Sequence, residues 1–228
     1  MQVVVENILH VYRSDLLYDR LMLFHFCAET LMSDPKTLLQ LAGADLEPPK
    51  LADACLVVID MQNEYLDGPI ALPEARVAIS RAQSLVSMTR SAGSPVFHVA
   101  HKGRAGSLFD RDAERGRIVD DLTPLSHEAV IEKALPNAFA GTGLADLISK
   151  TGRKDVIIVG FMTHMCVSST ARAALDLGLR VTIDAQACAT RDLPDGRGGR
   201  IDAATLNDVA LIELSDRFAV IARDHDWA

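Results

Sequence analysis

From Leu51 onward the chain alternates short apolar runs with amphipathic stretches. Leu56-Val57-Val58-Ile59 is apolar without a break and rich in β-branched residues, the pattern of a strand buried on both faces. A helix is predicted over 73–92. Pro73 suits its first turn, Val77, Ala78, Ala82, Leu85 and Val86 form a buried stripe, and Gly93 stops it. Further strands are predicted over 95–100, 129–132, 156–159, 180–183 and 218–221, and further helices over 143–150, 165–177 and 201–214. Repeated β–α units of this length imply an α/β fold, a parallel sheet with helices on both faces. In such sheets the chemistry sits beyond the carboxyl ends of the strands. That rule singles out Asp60-Met61-Gln62 after the first strand, Lys133 after the third, and residues 160–166 after the fourth.

Residues 1–50 follow a different pattern and read as a helical N-terminal extension to a domain over 51–228. One amphipathic helix is predicted over 15–32. A second, short helix has Ser33 or Asp34 as cap, Pro35 in its first turn, apolar Leu38, Leu39, Leu41 and Ala42, and Gly43 as its stop. Pro48-Pro49 makes a stiff link. The apolar stretch 21–28 is short, holds His25, and is preceded by Asp15 and Asp19 rather than by basic residues, so no cleavable leader is expected. The extension reads as a packing or oligomer element, and Met32 offers an alternative start.

With 228 residues, 49% of them hydrophobic, the chain suffices for one large α/β domain with a real core. A net charge of −8 and the lack of any Lys/Arg run longer than two argue against a nucleic-acid or membrane partner. No apolar stretch approaches the ~20 residues that span a bilayer. The four cysteines, Cys27, Cys55, Cys166 and Cys188, are scattered and form no CxxC, so the expected compartment is the reducing cytoplasm.

Three reactive residues stand at strand ends. Asp60 follows a buried strand and is either a capping residue or a general base. Lys133 ends the third strand and either snorkels to solvent or sits as a fixed cation beside an anion. Cys166 opens an Ala-rich helix. It is either a packing residue or a thiol whose anion is favoured by the helix N-terminus. Cys55, in the first strand, and Cys188, read as lying in a loop, are assigned to packing. One sheet edge would bring acid, cation and thiol together. Asp60 could then take the thiol proton, Lys133 could hold the anions, Cys166 could attack a carbonyl, and N–H groups at the helix start could hold the oxyanion. The stretch Asp195-Gly196-Arg197-Gly198-Gly199-Arg200 invites a phosphate-binding reading, but it lacks the P-loop Lys and does not follow the first strand; it reads as a loop of mixed charge.

Three stretches carry a resemblance. They are Leu56-Val57-Val58-Ile59-Asp60-Met61-Gln62-Asn63; Glu132-Lys133 with Asn137-Ala138-Phe139 and Leu144; and Val159-Gly160-Phe161-Met162-Thr163-His164-Met165-Cys166-Val167 with Thr170 and Ala173. In order, spacing and context this pattern resembles the isochorismatase-like hydrolase family, in its cysteine-hydrolase (amidase) branch, over about 51–221. The resemblance implies a Rossmann-like three-layer sandwich with a six-stranded parallel sheet and a catalytic triad of Asp60, Lys133 and Cys166. It further implies a cis peptide at Phe161–Met162 that aims the N–H of Met162, with that of Cys166, at the oxyanion. Gln62, Asn63, Tyr65, Phe139 and His164 become pocket-lining candidates. A small-molecule substrate, no cofactor, and a homo-oligomer (dimer or tetramer) complete the expectation.

Two departures narrow it. Nicotinamidases of the family bind a metal through an Asp-x-His pair after the second strand and a further His. Here the stretch reads Phe97-His98-Val99-Ala100-His101-Lys102-Gly103, with His101 near the Asp position and Gly103 near the first His, so no metal is expected. The isochorismatases that cleave an enol ether lack the nucleophilic Cys. The expected activity is hydrolysis of a C–N bond in a small amide or ureido compound through a thioester. The alternatives are enol-ether hydrolysis and a thiol-based redox or ligand sensor.

Overall fold

The computed structural model describes residues 34–227; the helix expected over 15–32, Cys27 and Met32 lie outside the described residues. The strands are β1 (Ala54–Ile59), β2 (Val96–His101), β3 (Ala129–Lys133), β4 (Asp155–Phe161), β5 (Arg180–Ala189), β6 (Leu193–Pro194), β7 (Arg200–Ile201) and β8 (Val220–Ala222). Six of them form one sheet in the order β3-β2-β1-β4-β5-β8, and every neighbouring pair is parallel. The helices are α1 (Leu38–Leu41), α2 (Glu64–Asp67), α3 (Ala75–Ser91), α4 (Leu144–Lys150), α5 (Ser168–Asp176) and α6 (Ala203–Arg217).

The unbroken apolar run of β1 has a simple cause. All six of its residues are buried, and successive side chains enter two different cores. Leu56 and Val58 join Ala78, Ile79, Ala82, Leu85 and Val86 of α3 on one face. Cys55, Val57 and Ile59 join Leu144 and Ile148 of α4, Ala171 and Ala174 of α5, and Leu211 and Leu214 of α6 on the other. This is the three-layer sandwich expected. Each fully buried Leu or Ile side chain contributes about 1.5–3 kcal/mol relative to exposure.

Several local expectations shift. The first short helix is capped by Thr37, not by Ser33 or Asp34. The Thr37 hydroxyl accepts from Gln40 N while the Gln40 side chain accepts from Thr37 N, a reciprocal capping box. Cys188 lies in β5 opposite Gly160, buried, rather than in a loop. Residues 195–199 close the antiparallel β6–β7 hairpin, with Arg200 already in β7, and Asp195 Oδ1 accepts from the backbone N–H of Arg197 and Gly199. The donors that would cradle a phosphate already serve that carboxylate.

The strand order reverses between β1 and β4. Beyond the carboxyl ends at such a switch point an open sheet leaves a crevice.

Candidate active site

Asp60 leaves β1 at φ +51, a left-handed conformation that is uncommon outside Gly, Asn and Asp. Its N–H donates to Val99 O at the end of β2, and its C=O accepts from Gln62 N two residues on. This sharp exit turns the carboxylate under the sheet edge, where it is wholly buried. Strain at such a position is characteristic of functional sites.

On the far side of the switch point Gly160, the penultimate residue of β4, stands at φ +130. A Cβ there would fall 2.0 Å from Ile59 O, so only glycine permits this approach of β4 to β1. The peptide Phe161–Met162 is cis, as the resemblance implies. The chain then forms a π-helical turn over Thr163–Val167, closed by Val167 N donating to Met162 O, before α5 begins. Buried Thr163 anchors the turn by donating to Asn207 Oδ1 on α6. Thr170 Oγ1, one turn into α5, accepts Ala138 N at 3.0 Å and so fixes the loop that follows Lys133.

These elements bring Asp60, Lys133 and Cys166 into one buried cluster. Lys133 Nζ lies 2.6 Å from Asp60 Oδ2 and 3.2 Å from Cys166 Sγ. Both side chains of the ion pair are 0% exposed, and Cys166 as a whole is 4% exposed. Lys133 therefore does not snorkel. Burial lifts the Asp60 carboxyl above its ordinary value, against the pull of Lys133. Burial also pushes the Cys166 thiol up to about 12, and the Asp60 charge adds to the rise while Lys133 opposes it. This corrects the expectation that a helix N-terminus favours the thiolate. Cys166 sits inside the π-turn, where burial is the largest influence on the thiol and the Asp60 charge adds to it. The resting sulfur keeps its proton, and a base stands beside it.

His101, which the sequence marks only as a poor metal ligand, joins this cluster. A carboxylate oxygen of Asp60, a ring nitrogen of His101 and the Cys166 sulfur all lie within 4.8 Å of one another. That is a ligand-like set, but Lys133 Nζ contacts all three residues, with His101 Nδ1 at 3.3 Å. An ammonium thus occupies the place an ion would take. His98, three residues earlier on β2, points to the other face, where its Nε2 meets Glu128 at 3.0 Å. The two imidazoles cannot share a metal.

The pocket-lining candidates separate into two groups. Gln62 is fully buried and its amide is engaged with backbone. It donates to His101 O and Gly116 O and accepts from His101 N. It clamps the end of β2 rather than facing a ligand. Asn63 likewise ties down the loop after β2 by donating to Glu114 O. Tyr65 stays near the chemistry. Its ring packs on Phe109 and edge-on against Phe161, and burial, with the charges of Asp60 and Cys166, drives its hydroxyl pKa upward. His164 is half-buried, pairs with Thr190 Oγ1, and is kept neutral-leaning by burial and by Arg191. Phe139 packs against the core cluster that contains Cys166. Phe109, which rests on His101 and Tyr65, belongs to a loop with no readable periodicity. An open cleft of about 310 Å³ at the amino ends of β4 and β5, lined by Ile148, Ser149, Leu177 and Leu179 among others, has neither thiol nor imidazole in its wall.

Residues 54–223 match the family model of the isochorismatase domain. The chain is 37% identical over 183 residues to the secreted isochorismatase effector Isc1 of Verticillium dahliae, covering 78% of this chain and 94% of that protein. It is 31% identical over 170 residues to a streptothricin hydrolase of Streptomyces noursei, covering 74% of this chain and 62% of that one. Among solved structures, an isochorismatase from Pseudomonas putida superposes with a TM-score of 0.80 at 40% identity, over 83% of this chain and 97% of that chain. No helix among the described residues is long and apolar enough to cross a membrane. The chain belongs to the isochorismatase-like family of hydrolases.

Proposed function

We propose that the protein hydrolyses a C–N bond of a small amide or ureido compound through a thioester on Cys166. The observation that carries this reading is one ammonium, Lys133 Nζ, in contact with both a buried carboxylate at 2.6 Å and a buried thiol sulfur at 3.2 Å. A thiol held protonated by burial needs a base at hand, and Asp60 is that base. As sulfur bonds to the carbonyl carbon, the S–H proton passes to Asp60 and the carbonyl electron pair moves to oxygen. The N–H groups of Met162 and Cys166 are the proposed oxyanion donors. Collapse breaks the C–N bond, and the leaving nitrogen takes the proton from Asp60. Water then attacks the thioester, Asp60 takes its proton, and the proton returns to sulfur as the acid leaves. Lys133 compensates whichever neighbour carries the negative charge.

The name of the Streptomyces noursei relative, streptothricin hydrolase, supports the hydrolase class. An enol ether offers sulfur no acyl carbon, so that chemistry leaves Cys166 without a role. A redox sensor calls for an exposed thiol of low pKa, and Cys166 is neither. The test is ammonia release from a panel of small carboxamides and ureido acids. Cys166→Ala is expected to lose about 10³-fold or more in kcat. Unchanged turnover in that variant would refute the mechanism.

A further inference from the structure

Lys133 has three N–H donors; its Nζ hydrogen-bonds Cys166 Sγ at 3.2 Å and His101 Nδ1 at 3.3 Å and forms an ion pair with Asp60 Oδ2 at 2.6 Å. We infer that His101 is a positioning residue for the reaction, its neutral Nδ1 holding the third N–H of Lys133 so that the other two point at the carboxylate and the sulfur. The inference builds on the proposed hydrolysis, but one of its tests does not need a substrate.

The chemistry of the contact fixes the imidazole's state. An ammonium has no lone pair, so Nδ1 must accept, and the ring proton must sit on Nε2. A protonated ring would present N–H to N–H and place two cations together. Burial and the Lys133 charge lower the His101 pKa to about 4, which keeps the acceptor available through the neutral range. The groups facing this ring are Lys133 from β3, Asp60 from β1 and Cys166 from the turn after β4, with the Phe109 ring at 5.0 Å between centroids on the loop side.

The backbone is built to keep the ring in place. Gln62, itself leaving β1 beside Asp60, accepts His101 N at 2.8 Å and donates to His101 O at 3.0 Å. One side chain thus ties the end of β2 to the segment that carries the base. His101 also pairs in register with Lys133 across the β2–β3 ladder, so the two side chains start from neighbouring positions. With Lys133 hydrogen-bonded to Cys166 Sγ and His101 Nδ1 and ion-paired with Asp60, its ammonium is committed to protein groups. It acts on sulfur and carboxylate, and the substrate must be held by other groups.

Two measurements test this. In ¹⁵N-histidine NMR, with the His101 signal assigned by its loss in His101→Asn, the ring is expected as the neutral Nε2–H tautomer with Nδ1 unprotonated. In Lys133→Met that preference is expected to relax and the ring pKa to move up toward its ordinary value. A protonated Nδ1 in the native protein, or an unchanged ring in Lys133→Met, overturns the inference whether or not any substrate has been found. In kinetics, His101→Leu keeps the bulk and removes the acceptor. It is expected to lower kcat roughly 10- to 100-fold with KM little changed, as for small misplacements in an active site. His101→Asn, whose Oδ1 can stand in for Nδ1, is expected to recover most of that loss. A His101→Leu enzyme with native kcat, or a His101→Asn enzyme as impaired as His101→Leu, rejects the role while leaving the thioester mechanism intact. Failure of the native enzyme on the whole amide panel instead rejects the proposed reaction and leaves the NMR result to decide His101.

Discussion

Asp60 and Lys133 pair at 2.6 Å although their strands are not neighbours, because β2 lies between β1 and β3 and both side chains reach over its end. The ion pair is fully buried, so its effect on stability depends on keeping both partners. Removing one leaves an uncompensated buried charge and costs about 3–5 kcal/mol. Lys133→Met is therefore expected to lower the denaturation midpoint sharply and to abolish turnover. The double variant Asp60→Asn/Lys133→Met is expected to regain much of the stability and none of the activity. Chemical denaturation of the three proteins checks this; equal stability of all of them would show that the pair is not desolvated as described.

The pH dependence follows from the directions of the shifts. Asp60 must be unprotonated to accept the thiol proton, and burial raises its pKa, so kcat/KM is expected to fall on the acid side through a pKa above the ordinary carboxylate value. The Cys166 thiol, at about 12, supplies no alkaline limb in the neutral range. Iodoacetamide labelling of Cys166 is expected to keep accelerating with pH well past neutrality. A labelling rate that levels off near pH 7 would instead indicate a preformed thiolate.

Gly160→Ala probes the backbone that brings β4 to β1. Its Cβ would meet Ile59 O at 2.0 Å, in a conformation that L residues rarely adopt. The expected result is a loss of about 3 kcal/mol or more, or failure to fold. A variant with native melting behaviour would contradict the close approach.

Glu128 offers a stability test remote from the chemistry. Burial acts to raise its pKa, but Arg90, the Leu125 amide and His98 outweigh it and hold the carboxyl at about 2. A depressed carboxylate stabilises the fold above its unfolded pKa, and that contribution is lost as pH falls toward the folded value. Glu128→Gln is thus expected to be more destabilising at pH 7 than at pH 3, as read by thermal melts. The same penalty at both values would mean that the charge contributes nothing.

The sheet and the three reactive residues were legible because their signals are local. The apolar, largely β-branched run 56–59 reads as a doubly buried strand, and Asp60, Lys133 and Cys166 each lie at or just beyond the carboxyl end of a strand, where the parallel topology converges. The contacts of His101 and Gln62 were not legible because their partners lie far along the chain: Lys133 for the His101 Nδ1, and His101 O and Gly116 O for the Gln62 amide. The thiol's state was misjudged for another reason. Helix position and the convergence of Asp60 on Cys166 can be read from sequence, whereas the extent of burial that raises the thiol pKa cannot. The loop carrying Phe109 has no periodic pattern, and its place over His101 and Tyr65 is set by contacts such as Gly103 N with Phe109 O.

The most direct measurement is acid-quench mass spectrometry of the native enzyme with an amide it turns over, followed by peptide mapping. The account expects the acyl group on Cys166 and no adduct in Cys166→Ala. An acyl group mapped to another side chain, or a Cys166→Ala protein that still hydrolyses the amide at the native rate, would contradict it.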